Sequence, residues 1–207
     1  MSIVDKVIAA VTPPESDEQR QSARAKAQAS ASPGDWLYMV LEHHRLIEGA
    51  FAAVKTADSA AARLAAQKKL ATLLTGHSNA EEAVLYPALA NADEKAHATK
   101  AYTEQAAAKM QMGLLETLPP MSQEYLDKLE HIRGAVAHHV YEEESEWFID
   151  LKEKVPAVEQ TRLGQRYQEE FVRYVGNNAS SEQVRLAPVG GGDSRVPPMS
   201  ERPESRA

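Results

Sequence analysis

Two stretches of this chain set a histidine and a glutamate one helical turn apart inside a run of apolar residues. The first is "HSNAEEAVLYP", His77 to Pro87; the second is "HHVYEEESEWF", His138 to Phe148. His77 aligns with His139, Glu81 with Glu143, Glu82 with Glu144, and Leu85–Tyr86 with Trp147–Phe148, 62 positions on. This repeat constrains the fold more than any other feature. A carboxylate on an apolar helix face must be buried, and a buried carboxylate is costly unless another element brings it a partner or a metal. The chain must therefore fold as helices whose polar residues meet at one depth.

Apolar residues recur at helical spacing through the middle of the chain, and no segment alternates as a strand would. Asp35 follows "SPG" as a plausible cap, which predicts a first long helix over 35–57. A second is predicted over 59–90, bent or ended by Pro87, a third over 93–117, stopped by Pro119–Pro120, and a fourth over 122–154, capped by Ser122. A shorter helix is expected over 157–175, with Gly176 as its stop. Residues 1–33 read as an arm, broken at "TPPES"; "SDEQRQSARAKAQASAS" is helix-permissive but lacks an apolar stripe, so it is expected to be exposed or loosely docked. Residues 177–207, rich in Gly, Pro and Ser, are expected to be disordered. The fold class that follows is all-α: an antiparallel up-down four-helix bundle in residues 34–176, with an extra C-terminal helix and disordered tails.

A helical wheel sorts the polar residues. Each residue turns about 100°, so Glu81 lies about 40° from His77 and inside the leucine arc, whereas Glu82 lies about 140° away. On the fourth helix two pairs compete, His138/Glu142 and His139/Glu143. Glu143 falls about 35° and His139 about 75° from the centre of the apolar arc, while His138 lies nearly opposite. His139 and Glu143 are thus predicted to face inward and His138 outward. On the first helix His44 and Glu48 share the inner face, with His43 at its margin; on the third, Gln105 is central and His97 at the edge. The candidate set is His44, Glu48, His77, Glu81, Gln105, His139 and Glu143.

Composition narrows what such a set can do. Cysteine is absent, so thiolate sites and disulfides are excluded and any metal takes N and O ligands. The net charge of -7 and the scattered basic residues argue against nucleic acid as a partner. No 18-residue apolar run offers a membrane span, and a cytoplasmic location is the expectation. Histidine–glutamate pairs at this spacing are common on solvated faces. Two on separate apolar faces, with a histidine on a third helix, are better explained by a divalent metal than by packing. The remainder of the Glu142–Glu143–Glu144 and Glu81–Glu82 runs reads as solvated charge, and Met110, Met112, Met121, Trp36 and Trp147 as packing residues.

The segments "EHHRLIEGAF", "HSNAEEAVLYPAL" and "HHVYEEESEWF" resemble, in order and spacing, the signature segments of the hemerythrin-like, or HHE cation-binding, family over roughly Asp35 to Leu151. The resemblance implies a non-haem di-iron centre with an oxo or hydroxo bridge. By position, His44, His77 and His139 would be ligands, and Glu81 and Glu143 bridging carboxylates. The family's histidine on the third helix falls here on Gln105, so an under-coordinated iron, a mononuclear site or another divalent metal stays open, with Glu48 as a replacement ligand. The implied functions are binding of a small ligand (O2, NO or peroxide) in gas sensing or in oxidative or nitrosative stress response. A peroxidase-like or NO-detoxifying enzyme, with Glu48 or Glu104 carrying protons, and an iron storage or handling protein are the alternatives.

Overall fold

The computed structural model describes residues 15–176. Met1 to Pro14 and the tail 177–207, expected to be disordered, lie outside the described residues. Helix α1 spans Asp17–Ser30 and α2 Trp36–Thr56. The second long helix is built of α3, Ala60–Ala80, a π-turn at Glu81–Leu85, and α4, Tyr86–Asn91. Helix α5 spans Lys95–Leu115. The fourth long helix is α6, Gln123–Glu142, a second π-turn at Glu143–Trp147, and α7, Phe148–Lys154. Helix α8 spans Ala157–Val175. There is no strand among the described residues.

Local chemistry accounts for the boundaries. Asp35, Ser59 and Ser122 accept hydrogen bonds from the amides of Tyr38, Ala62 and Tyr125 and so cap α2, α3 and α6. Buried Arg63 donates to the carbonyls of Val54, Lys55, Ala57 and Pro120, satisfying the C-terminal end of α2. Pro87 does not end its helix. The π-turn immediately before it absorbs the clash and the missing N–H that proline imposes, and the helix continues to Asn91.

The arm was expected to dock loosely. Over Asp17–Ser30 it is a helix, as its composition permits, with a capping box between Ser16 and Gln19, but it is firmly seated on the second π-turn and on α2 and α7, with Ala23 and Ala27 buried. Its pattern misled because two alanines and one arginine carry the contact, and neither makes an apolar stripe. Helix α8 packs on α3, α2 and the first π-turn. It comes close because Gly76 has no side chain: a Cβ there would stand 2.3 Å from Cγ2 of Val175.

The core divides in two. One cluster holds Leu37, Leu41, Leu85, Leu89, Ala101, Trp147 and Phe148. The other holds Ile47, Phe51, Leu70, Leu74, Met112, Leu129 and Val140. The division falls between Leu41 and Ile47 on α2, Leu74 and Leu85 on the second long helix, Ala101 and Met112 on α5, and Val140 and Trp147 on the fourth. His44, His77, Gln105 and Glu143 occupy those four gaps.

Candidate metal centre

Ligand atoms of His44, His77, Glu81 and Glu143 lie within 4.8 Å of one another, and all four residues are buried. His44 Nε2 is 3.3 Å from Glu143 Oε2 and 3.9 Å from Glu81 Oε1. His77 Nε2 is 3.2 Å from Glu81 Oε2, and His139 Nε2 is 3.2 Å from Glu143 Oε1. Each His–Glu pair spans the junction between an α-helix and its π-turn, because the wider turn holds the glutamate and the residues after it on the inner face.

Three of these atoms, His44 Nε2, Glu81 Oε1 and Glu143 Oε2, are buried and have no hydrogen-bond partner. Such atoms cost stability when left bare. Here they point at one another, and imidazole nitrogen with carboxylate oxygen is the donor set of a divalent transition metal. The residues therefore fit a metal.

The outer ring nitrogens have partners from other elements. His44 Nδ1 is 2.8 Å from Glu144 Oε1; the carboxylate is held by Arg24, so the imidazole donates. His77 Nδ1 is 3.0 Å, and His43 Nδ1 2.8 Å, from the Tyr167 hydroxyl, which donates to one ring and accepts from the other. His139 Nδ1 donates to Glu104 at 2.8 Å. These contacts fix which nitrogen each imidazole turns to the centre. Tyr86 sits at the other side. Its hydroxyl is 2.9 Å from Glu143 Oε1, 3.2 Å from Glu81 Oε2 and 3.0 Å from His139 Nε2.

The charges are uneven. Burial would lower the His44 imidazole, but Glu143, Glu144 and Glu81 outweigh it and hold it well above its ordinary range. Burial opposes His139 too, yet Glu143 and Glu104 push it up to about 10. His77 is held well below its ordinary value by burial and by the charge of His44. Burial and the neighbouring Glu143 push Glu81 up to about 7. Burial acts the same way on Glu143, but His139 and His44 overcome it and hold it low.

Of the seven candidates, the structure brings His44, His77, Glu81 and Glu143 into one cluster and sets His139 against its edge. Gln105 is buried and adjacent, but its amide nitrogen faces inward, donating to Glu81 Oε2 at 2.6 Å and to the Tyr86 hydroxyl at 2.5 Å. A cavity of about 20 Å³, lined by His77, Ser78, Glu104, Gln105 and His139 among others, lies beside it. Glu48 does not reach the centre: its half-exposed carboxylate is held by Arg24 at 2.7 and 2.9 Å. His138 is part-exposed and pairs with Glu15 at 2.8 Å. His97 stacks on Trp147 with centroids 5.4 Å apart.

Four residues close to the centre were not singled out from sequence. Glu144, read as solvated charge, is buried. The wheel held a signal for it, since one step past Glu143 puts it about 65° from the arc centre. Tyr86 falls about 180° from His77 on an ideal helix, and only the extra residue of the π-turn rotates it inward. His43 was placed at the margin but is buried against Phe171, centroids 3.8 Å apart. Tyr167 lies on a helix that carried no site motif.

Comparison with known proteins agrees with this centre. Residues 37–149 match the hemerythrin HHE cation binding domain. The crystal structure of a hemerythrin HHE cation binding domain-containing protein from Mycobacterium kansasii superposes with a TM-score of 0.61 at 25% identity, covering 69% of this chain and 88% of that one. A protein of Nostoc sp. named DNA nickase is 31% identical over 88 residues, 42% of this chain but only 25% of that protein. The fold, the paired His–Glu turns and the extent of the match together assign this chain to the hemerythrin HHE cation-binding domain family.

Proposed function

We propose that this chain is a non-haem iron protein that binds a small diatomic or peroxide ligand in gas sensing or in oxidative or nitrosative stress response. The observation that carries the reading is the convergence of the unpartnered atoms His44 Nε2, Glu81 Oε1 and Glu143 Oε2 at one buried point. His44, His77, Glu81 and Glu143, with His139 at the edge, would hold the iron, as a di-iron or a single-metal site. A redox-active metal there supplies the binding of O2, NO or peroxide. The chain's own residues supply the rest: Tyr86 holds a proton between Glu81 and Glu143, and Gln105 donates to Glu81 from the wall of the small cavity. That cavity, at about 20 Å³, has room for roughly one water-sized group beside His77 and His139.

The partner is a small molecule rather than nucleic acid. Arg24, Lys100, Lys109, Arg133, Lys152 and Lys154 are all engaged by carboxylates of the same chain. No helix among the described residues is long and apolar enough to cross a membrane. Glu104 favours a second reading, turnover of peroxide or NO. It binds His139 from a partly exposed position beside Lys100 and can carry a proton between the centre and solvent.

The test is metal analysis and the visible spectrum of anaerobically purified protein, followed by O2, NO or peroxide. Stoichiometric iron with reversible ligand binding supports the first reading, and catalytic turnover the second. Protein that takes up no iron ends both.

A further inference from the structure

Residues 37–149 match the family domain, yet two supports of the centre come from outside it: Tyr167 on α8, against His77, and Arg24 on α1, which acts through Glu144. Arg24 on α1 donates through Nε and Nη2 to both oxygens of Glu144, at 3.1 to 3.2 Å. The same guanidinium grips Glu48 through Nη1 and Nη2 at 2.9 and 2.7 Å. Glu144 Oε1 then accepts from His44 Nδ1 at 2.8 Å. The line Arg24–Glu144–His44 ends at His44 Nε2, one of the unpartnered atoms of the centre.

We propose that Arg24 is a positioning residue for the metal centre, acting from the N-terminal helix through Glu144 to orient the His44 ring. The inference rests on the metal-binding reading above and adds to it the helix that precedes the family domain. Two N–H groups on one edge of a carboxylate fix its plane as well as its place, which a single contact cannot do. With Glu144 fixed, the Nδ1–H of His44 has one direction to point, and Nε2 is turned to Glu143 and Glu81. Without Arg24 the Glu144 side chain is free to turn away, and the His44 ring loses its outer support. Such outer partners are worth about 10- to 100-fold in metal affinity. Glu48 anchors Arg24 from the solvent side and touches nothing in the centre.

The experiment uses the full chain and Co2+ as a spectroscopic probe. Arg24→Gln is expected to weaken Co2+ binding by about 10- to 100-fold and to change the visible band, with helix content unchanged. Arg24→Lys, which keeps the charge but not the fork, should fall between. Glu48→Gln, which keeps an acceptor for Arg24 and leaves the Arg24–Glu144 contact in place, should weaken binding less than Arg24→Gln does. Arg24→Gln added to Glu144→Gln should cause no further loss, because both act through one contact. A second readout needs no metal: the Nδ1–H proton of His44, protected from exchange by Glu144, should be observable by NMR in the parent and lost to fast exchange in Arg24→Gln. Parent-like affinity and a retained proton in Arg24→Gln would reduce Arg24 to a clamp for α1 and overturn the proposal. Additive losses in the double variant would do the same. A parent chain that takes no Co2+ but loses the His44 proton in Arg24→Gln would sink the metal reading and leave the positioning role standing.

Discussion

The two His–Glu turns share a motif, a π-turn and a depth in the bundle, yet they differ in what stands behind them. His77 is backed by the neutral phenol of Tyr167 and is itself held neutral; its partner Glu81 is pushed up to about 7. His139 is backed by the carboxylate of Glu104 and is pushed up to about 10; its partner Glu143 is held low. One half of the centre is close to uncharged and the other is an ion cluster. The motif sets positions, and the helices that pack on it set charge. That asymmetry gives a metal-binding site two unlike ends.

The largest expected effect tests the carboxylates against each other. In the metal-free chain Glu143 compensates His44 and His139 at once, so Glu143→Gln leaves two buried imidazoliums short of a partner and is expected to cost about 3 to 5 kcal/mol. Glu81 shares its proton near neutrality, and Glu81→Gln mimics the protonated form, so its cost should stay within about 1 kcal/mol. Urea unfolding of the two variants gives the comparison, and equal losses would erase the asymmetry.

The pH dependence comes next. The folded-state value of His139 lies above the ordinary 6.5, so its contribution to stability is full below 6.5 and is lost as pH rises toward 10. Glu81 is raised from 4.5 to about 7, so its contribution is present at acid pH and lost as pH climbs through 7. Glu143 runs the other way and loses its contribution below 4.5. His77, held low, loses its contribution as pH falls below 6.5, so the metal-free chain should be most stable near pH 6.5 and weaken from there to 10. Metal affinity should rise over the same range, since uptake displaces protons from His44 and His139 but none from His77. A urea midpoint that climbs from pH 6.5 to 10 in metal-free protein would show that the charge assignment is reversed.

The smallest effect concerns the groups behind the histidines. Glu104→Gln exchanges a charged acceptor for a neutral one and should weaken metal binding by about 10-fold. Tyr167→Phe removes a neutral bond of about 1 kcal/mol and should weaken it less. Chelator competition ranks them, and a larger loss in Tyr167→Phe would mean that α8 matters more to the centre than charge does.

Much of this was legible because capping and periodicity are written in residue types. Asp35, Ser59, Ser122 and the Pro119–Pro120 break set helix ends within a residue or two of those observed. The inward placement of His44, His77, Glu81 and Glu143 follows from the apolar arcs. What escaped was what an ideal helix hides. A π-turn has no composition of its own, so an ideal wheel gives no sign that Tyr86 faces the centre, and only Pro87 hinted at the first of the two. Glu48 lay on the right face, but an arginine in an arm without an apolar stripe pulled it outward. Tyr167 reaches the centre because Gly76 admits α8 closely, a contact between distant segments that no local pattern encodes.

The polar layer between the two apolar clusters also bears on how the molecule opens. An oily core transmits cooperativity because each side chain leans on several others. This layer interrupts that continuity across all four long helices at once, with bare donor atoms at its middle and a π-turn in two of the helices. Leu129 and Ile132 belong to one half, Leu151 and Phe148 to the other. A bound ion would act as a rivet through the seam, joining two half-bundles that otherwise loosen on their own schedules. In amide hydrogen exchange, metal-free protein should show two distinct opening free energies for those pairs, and loading should merge them into one.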